Sequence, residues 1–136
     1  MEFRAKLKYV RMGPRKIRRV AELVKGMSVE EAMETLYYIP KAAARPLMQT
    51  IKSATSNALN AEDSGKMRTE DLFIKEIRID GGPIWKRIRP APMGRAYRIR
   101  KRTSHLSVRL GVDPKRVKAI QKEKAKAKTK AKSSKV

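Results

Sequence analysis

Nine basic side chains and no acid fall between residues 82 and 110. Eight of them, Lys86, Arg87, Arg89, Arg95, Arg98, Arg100, Lys101 and Arg102, crowd into one stretch that also carries Trp85 and Tyr97. A planar guanidinium bridges phosphate oxygens and stacks on bases, where an ammonium acts as a point charge. Cations interleaved with aromatic faces suit structured RNA better than a smooth anionic surface. A second cationic group lies near the N-terminus, at Arg4, Lys6, Lys8, Arg11, Arg15, Lys16, Arg18 and Arg19. Ser104 and His105, beside the first group, complete the candidate RNA contacts. An ordinary solvated basic loop is the plainer reading of the long segment, and a solvated strand face that of the first cations.

Catalytic and metal chemistry find less support. His105 is the single histidine and no local nucleophile or ligand pattern accompanies it. The chain has no cysteine, which excludes disulfides and thiolate zinc sites. Gly81-Gly82 lacks the lysine-serine/threonine signature and the following helix of a phosphate loop. The acids Glu30, Glu31, Glu34, Glu62, Asp63, Glu70 and Asp71 read as solvated helix and loop positions, not as a metal-binding carboxylate cluster. No cofactor is expected.

The 136 residues carry 35 Lys+Arg against 13 Asp+Glu, a formal net charge of +22. A compact body so charged repels itself unless a polyanion supplies counter-charge. The imbalance is uneven: residues 20–81 hold eight basic and ten acidic side chains, whereas residues 1–19 hold eight and one. A near-neutral, foldable middle with basic extensions is the natural reading. No run of eighteen apolar residues and no signal-peptide core is present, so a cytoplasmic, non-membrane protein is expected.

Several elements must position these cations. Phe3, Ala5, Leu7 and Tyr9 alternate with Arg4, Lys6 and Lys8, predicting a half-buried strand. Gly13-Pro14 opens a helix whose core face is Ile17, Val20, Ala21 and Val24, with Gly26 as its stop. Cations in its first turn oppose the helix dipole, which points to an anion docking there. Ser28 and Glu31 fit a capping box for a second helix, with Ala32, Met33 and Leu36 inward and Pro40 at its end. A third helix is expected over about 41–61, with Leu47, Ile51, Ala54 and Ala58 in the core and Pro46 tolerated in the first turn. Residues 62–71 read as a loop. Residues 72–79 form a strand whose alternation slips near Lys75-Glu76, the mark of a bulge. Residues 103–110 form another, with Leu106, Val108 and Leu110 on one face. From Asp113 onward a lysine-alanine tract has no apolar face and is expected to stay disordered until it meets a polyanion.

The cationic stretch between the last two strands is long for a loop. Turn-prone residues from Pro90 to Gly94 divide it, so it reads as an extended β-hairpin with its tip at Pro92, Met93 and Gly94. At roughly 3.3 Å per residue it reaches about 30 Å, against a body radius of gyration of about 13 Å. Such an arm cannot bury itself on its own body, and a lone two-stranded ribbon is marginal in water. It needs an anionic partner that surrounds it.

In order along the chain stand Gly13-Pro14-Arg15-Lys16 with Arg18, Ser53-Ala54 with Asn57-Ala58, Gly82-Pro83 with Lys86-Arg87, Gly94-Arg95-Ala96, and Lys101-Arg102-Thr103-Ser104-His105. From about Ala5 to Leu110 these blocks resemble large-subunit ribosomal protein twenty-two of the bacterial type. The resemblance implies an α+β fold, three helices on a small three-stranded antiparallel sheet, with a long protruding β-hairpin. Residues 1–112 read as one domain that includes the hairpin 80–103, followed by a flexible Lys/Ala-rich tail 113–136 that has no counterpart in the shortest family members. The resemblance further implies a non-enzymatic role in the large ribosomal subunit: binding large-subunit ribosomal RNA, acting early in assembly, and lining the nascent-chain exit tunnel. The tunnel-lining residues would be Trp85, Lys86, Arg87, Ile88, Arg89, Pro90, Ala91, Pro92, Met93, Gly94 and Arg95, with changes near Trp85–Arg87 and Met93–Gly94 affecting macrolide response. Partners implied are neighbouring ribosomal proteins, including protein four at the tunnel constriction, and the nascent polypeptide, with no homo-oligomer and no membrane. Gly13 replaces a frequent serine cap, and Ala91-Pro92 replaces the usual Arg-Ala, which removes one tip cation and stiffens the turn.

Three other classes compete. A DNA-compacting or general RNA-chaperone protein explains the charge and the tail but not ordered blocks around one long hairpin. A nucleic-acid enzyme needs clustered carboxylates. A membrane-active peptide needs a large apolar face that the cationic segments lack.

Overall fold

A computed structural model of the chain describes residues 2–61 and 68–112. The expectations for the tail 113–136 and for most of the loop after the third helix fall outside them. The elements run β1 (Glu2–Val10), α1 (Pro14–Val24), α2 (Val29–Tyr38), α3 (Ala44–Leu59), a single 3-10 turn (Thr69–Asp71), β2 (Leu72–Pro90) and β3 (Ala96–Val112). The strands form one antiparallel sheet in the order β1-β3-β2. The three helices pack on one side of it, giving the expected α+β fold.

The core follows from helical and strand periodicity. Ile17, Val20, Ala21 and Val24 of α1 are buried, as are Leu47, Ile51, Ala54 and Ala58 of α3. They meet Ile74, Leu106, Val108 and Leu110, which point from the sheet toward the helices. Full burial of each of the Val, Leu and Ile side chains contributes about 1.5–3 kcal/mol. Gly13 and Pro14 start α1, but no side chain caps it and its first turn holds no acid. By contrast, Ser28 Oγ accepts a hydrogen bond from the Glu31 amide at 3.3 Å to open α2. α3 is shorter than expected, Ala44–Leu59, because residues 42–43 form a turn closed by the Ala44 amide on the Lys41 carbonyl at 2.9 Å. Pro46 sits in its first turn, where its carbonyl accepts the Thr50 hydroxyl at 2.8 Å.

Both outer strands are partly covered along their edges. Asn57 of α3 donates through Nδ2 to the Arg4 carbonyl of β1 at 3.1 Å. On the other side Gly26, in the left-handed region at φ 83, donates its amide to the Ile74 carbonyl at 3.2 Å, and Ile74 donates to Met27 at 3.0 Å. Covered edges leave fewer free amides and carbonyls for stray pairing.

Two expectations are corrected. The strands expected over 72–79 and 103–110 are not separate from the hairpin legs. Each runs unbroken into a leg, so β2 is 19 residues long and β3 is 17. The ladder absorbs Gly82 and Pro83 as a bulge between Gly81 and Ile84. The anticipated slip near Lys75-Glu76 is also a bulge, between Ile74 and Glu76. Tyr9 does not share the apolar face of Phe3, Ala5 and Leu7. A register shift between Leu7 and Val10 places one extra residue in β1, and Tyr9, at φ 58, turns outward there.

Candidate nucleic-acid interface

The arm is the outer part of the β2–β3 ladder. From Asp80↔His105 to Pro90↔Ala96 it extends for about 30 Å at 3.3 Å per residue. Residues opposite each other in an antiparallel pair share a face, and neighbours along a strand alternate. The printed register therefore sorts the arm into two faces. One carries Lys86, Arg98, Arg100 and Arg102 with Ile84 and Ile88. The other carries Arg87, Arg89 and Lys101 with Trp85, Tyr97 and Ile99. All seven of these cations are exposed, and so is Arg95 at the tip. The ion pairs among the described residues lie on the body, at Glu2–Arg4, Glu2–Lys75, Glu76–Arg78 and Glu76–Arg109. Positive charge on both faces, with no carboxylate beyond Asp80 at the base to offset it, suits a polyanion that wraps the arm.

The tip is a tight turn. Met93 at φ 62 and Gly94 at φ 67 are its central residues, and the Arg95 amide reaches the Pro92 carbonyl at 3.5 Å. Left-handed geometry at both central positions matches the right-handed twist of the flanking strands. Ala91 donates to the Arg95 carbonyl at 2.9 Å, which closes the loop below the turn. The expected tip, Pro92 to Gly94, is thus where the chain reverses.

The root of the arm is locked by Thr103 and His105, the latter a candidate RNA contact in the sequence. Thr103 donates through Oγ1 to the Pro83 carbonyl at 2.6 Å, across the bulge. Gly82 lies against this bond: a Cβ built there would sit 2.5 Å from Thr103 Oγ1 and 3.1 Å from His105 Nε2. The close approach demands glycine. His105 accepts the Tyr9 amide on Nδ1 at 3.0 Å, and the Tyr9 ring meets it edge-on with centroids 4.8 Å apart. Such an acceptor role fixes the proton on Nε2 when the ring is neutral.

The remaining candidates divide. Ser104 is fully buried and donates to the Met12 carbonyl at 2.8 Å, so its hydroxyl ties β3 to the start of α1. Arg18 donates from Nη2 to the Ile79 carbonyl at 2.8 Å, which anchors α1 to β2. Arg4 pairs with Glu2 at 3.7 Å on the open side of the sheet. There Lys6, Arg78 and Arg109 share a shallow groove of about 150 Å³ with Glu76 and Asp80. That side is mixed in charge, unlike the arm. Lys8 and Arg15 are exposed. Arg11, Lys16 and Arg19 line a groove of about 650 Å³ between α1 and the α2–α3 connection, with Lys41 on its far wall and Val20, Leu23 and Ile39 along it. Lys41 lies in the near-neutral stretch, where the sequence singled out no cation. Gly13 packs toward Arg102, whose Cβ would lie 4.0 Å from a Cβ on the glycine, so the first turn of α1 adjoins the arm's root.

No group of three or more metal-ligating side chains occurs among the described residues. No helix there is long and apolar enough to cross a membrane.

The family model described as ribosomal protein L22p/L17e matches residues 5–111. The chain belongs to this family. It is a ribosomal protein and not an enzyme. The large ribosomal subunit protein uL22 of Maridesulfovibrio salexigens is 49% identical over 108 residues, covering 79% of this chain and 96% of that protein. Its counterpart in Chlorobium phaeobacteroides is 48% identical over 108 residues, covering 79% and 92%. That of Rubrobacter xylanophilus is 50% identical over 108 residues, covering 79% and 83%. In this L22p/L17e member the family match takes in the arm and its locked root and ends before residues 113–136.

Proposed function

We propose that the protein binds large-subunit ribosomal RNA with its arm and with the α1 end of its body, and that the arm lines the nascent-chain exit tunnel. As an L22p/L17e member it is a structural constituent of the large subunit of the cytoplasmic ribosome. The observation that carries the finer reading is the distribution of charge on the arm. Cations face both ways from a ribbon about 30 Å long, with Arg95 at its tip. One flat anionic surface would use a single face. RNA folded around the arm uses both.

The body and arm, residues 1–112, act as one unit. Arg11, Arg15, Lys16, Arg19 and Arg102 gather RNA strands at the root. Lys8 extends that group along β1. Neutralising phosphates where several RNA segments converge favours their close approach, which is how the protein aids early subunit assembly. Exposed Ile88, Met93 and the tip prolines give the arm the apolar surface that a nascent polypeptide and the hairpin of ribosomal protein four would meet.

The test is sedimentation of a lysate at moderate salt with the protein followed by mass spectrometry. Near one-to-one recovery with the large subunit, persisting through a high-salt wash, is expected. Recovery at the top of the gradient, or spread over DNA and all RNA fractions, would replace this reading with a non-specific polyanion binder.

A further inference from the structure

Between the end of β1 and the base of the arm lies a groove of about 490 Å³ lined by Tyr9, Arg11, Pro83, Ile84, Trp85 and Thr103. Its size falls within the roughly 300–1,000 Å³ of sites that hold one small organic group. It adjoins a second hollow of about 250 Å³ where Arg11 and Trp85 recur beside Arg87 and Lys101. Two aromatic rings therefore border one groove, with three cations along its continuation. Both rings are open to solvent: Tyr9 is 62% exposed and Trp85 52%. Each is also held in place. Tyr9 sits at the β1 bulge against His105, and the Arg87 guanidinium lies 5.8 Å from the Trp85 ring centroid. The Thr103 hydroxyl is committed to the Pro83 carbonyl, which fixes the groove's floor between the two strands.

We propose that this groove receives one unpaired nucleotide of RNA, its base stacked on Trp85 with Tyr9 bordering it and its phosphates held by Arg11 and Lys101. The inference rests on the RNA-binding reading above and adds the chemistry of one contact. Aromatic faces attract any base but can reach only one that has left its helix. Cations alone would hold paired and unpaired RNA alike. The rings thus make the arm's root selective for a single-stranded kink, and the rest of the arm stays indifferent to base.

Trp85 is the chain's one tryptophan, so its fluorescence reports this groove directly. The full chain is titrated with single-stranded oligoadenylate, with duplex RNA of equal length and with inorganic polyphosphate, while binding of each is followed separately by anisotropy or competition. Quenching by oligoadenylate, little by the duplex and none by polyphosphate is expected. In the anisotropy assay Trp85→Leu should weaken oligoadenylate binding about tenfold, Trp85→Phe should restore most of it, and Tyr9→Leu should reduce the quenching. Binding of oligoadenylate without quenching, or equal quenching by polyphosphate, would overturn the stacked nucleotide while leaving RNA binding intact. Failure of every RNA to bind would overturn both readings.

Discussion

The backbone amide of Tyr9 donates to Nδ1 of His105 at 3.0 Å, across 96 positions of sequence. The bond fills a gap that the β1 bulge opens in the ladder, so the histidine side chain stands in for a backbone acceptor. His105→Ala removes that acceptor and the edge-on ring contact together. A loss of about 1–2 kcal/mol is expected, read from urea melts of the full chain. An unchanged midpoint would show that water replaces the imidazole without cost.

Adjacent glycines at the arm's root should respond differently. A methyl group at Gly82 meets Thr103 Oγ1 at 2.5 Å, whereas one at Gly81 meets nothing within 4 Å. Gly82→Ala should therefore cost about 1–3 kcal/mol and loosen the Thr103–Pro83 bond, while Gly81→Ala stays near neutral. Thermal melts give the first quantity, and amide exchange along residues 84–90 gives the second.

At the tip, Met93 holds φ 62 with a side chain that is 91% exposed and makes no compensating packing. Asparagine tolerates that region better than methionine does. Met93→Asn should stabilise the turn by roughly 0.5–1 kcal/mol, seen as slower exchange of the Ala91 amide that closes the loop.

If RNA surrounds the arm, both faces should contribute to salt-dependent binding. Replacing Arg87, Arg89 and Lys101 by glutamine, or Lys86, Arg98 and Arg100 instead, should lower the slope of log affinity against log salt by about 2–3 in each case. A ribosomal RNA fragment titrated at several salt concentrations measures it. A slope that changes for one triplet alone would mean one-sided contact.

The Lys75 ammonium donates to Glu2 and, with its charge, holds the Glu2 carboxyl below the usual carboxylate value; Arg109 and Arg4 act in the same direction. A lowered folded value means that the stabilisation is complete above the ordinary carboxylate range and fades as pH falls through the lowered one. Lys75→Met should lower the melting temperature slightly at neutral pH and converge with the parent in acid. Melting curves between about pH 7 and pH 3 cover this window. Glu2 is exposed, so the difference should be small and should shrink further in salt.

The helices, the core and the existence of the arm were legible because they rest on period and punctuation. Ile17 to Val24 repeats at helical spacing, Ser28 and Glu31 announce a cap, and Pro92 to Gly94 mark a reversal. Long-range pairing was not legible. Nothing near Ser104 in the chain indicates that its hydroxyl seeks the Met12 carbonyl, so a residue beside a run of cations read as an RNA contact. Tyr9 misled in the same way: one inserted residue, invisible in alternation this short, turned it from the core to the arm's root. Lysine and arginine counts located the charged arm, but only the register divided its cations between two faces.

Because β3 is both the second leg of the arm and the middle strand of the body, the projection is a cantilever whose beam continues through its own foundation. Load applied along the arm is shared by many ladder bonds in shear, with β1 and β2 both bearing on the same strand. Sideways load falls on the Gly82–Pro83 bulge, where the Thr103–Pro83 bond braces the joint. Such a member resists being drawn out of its surroundings lengthwise and yields, if at all, by bending at its base.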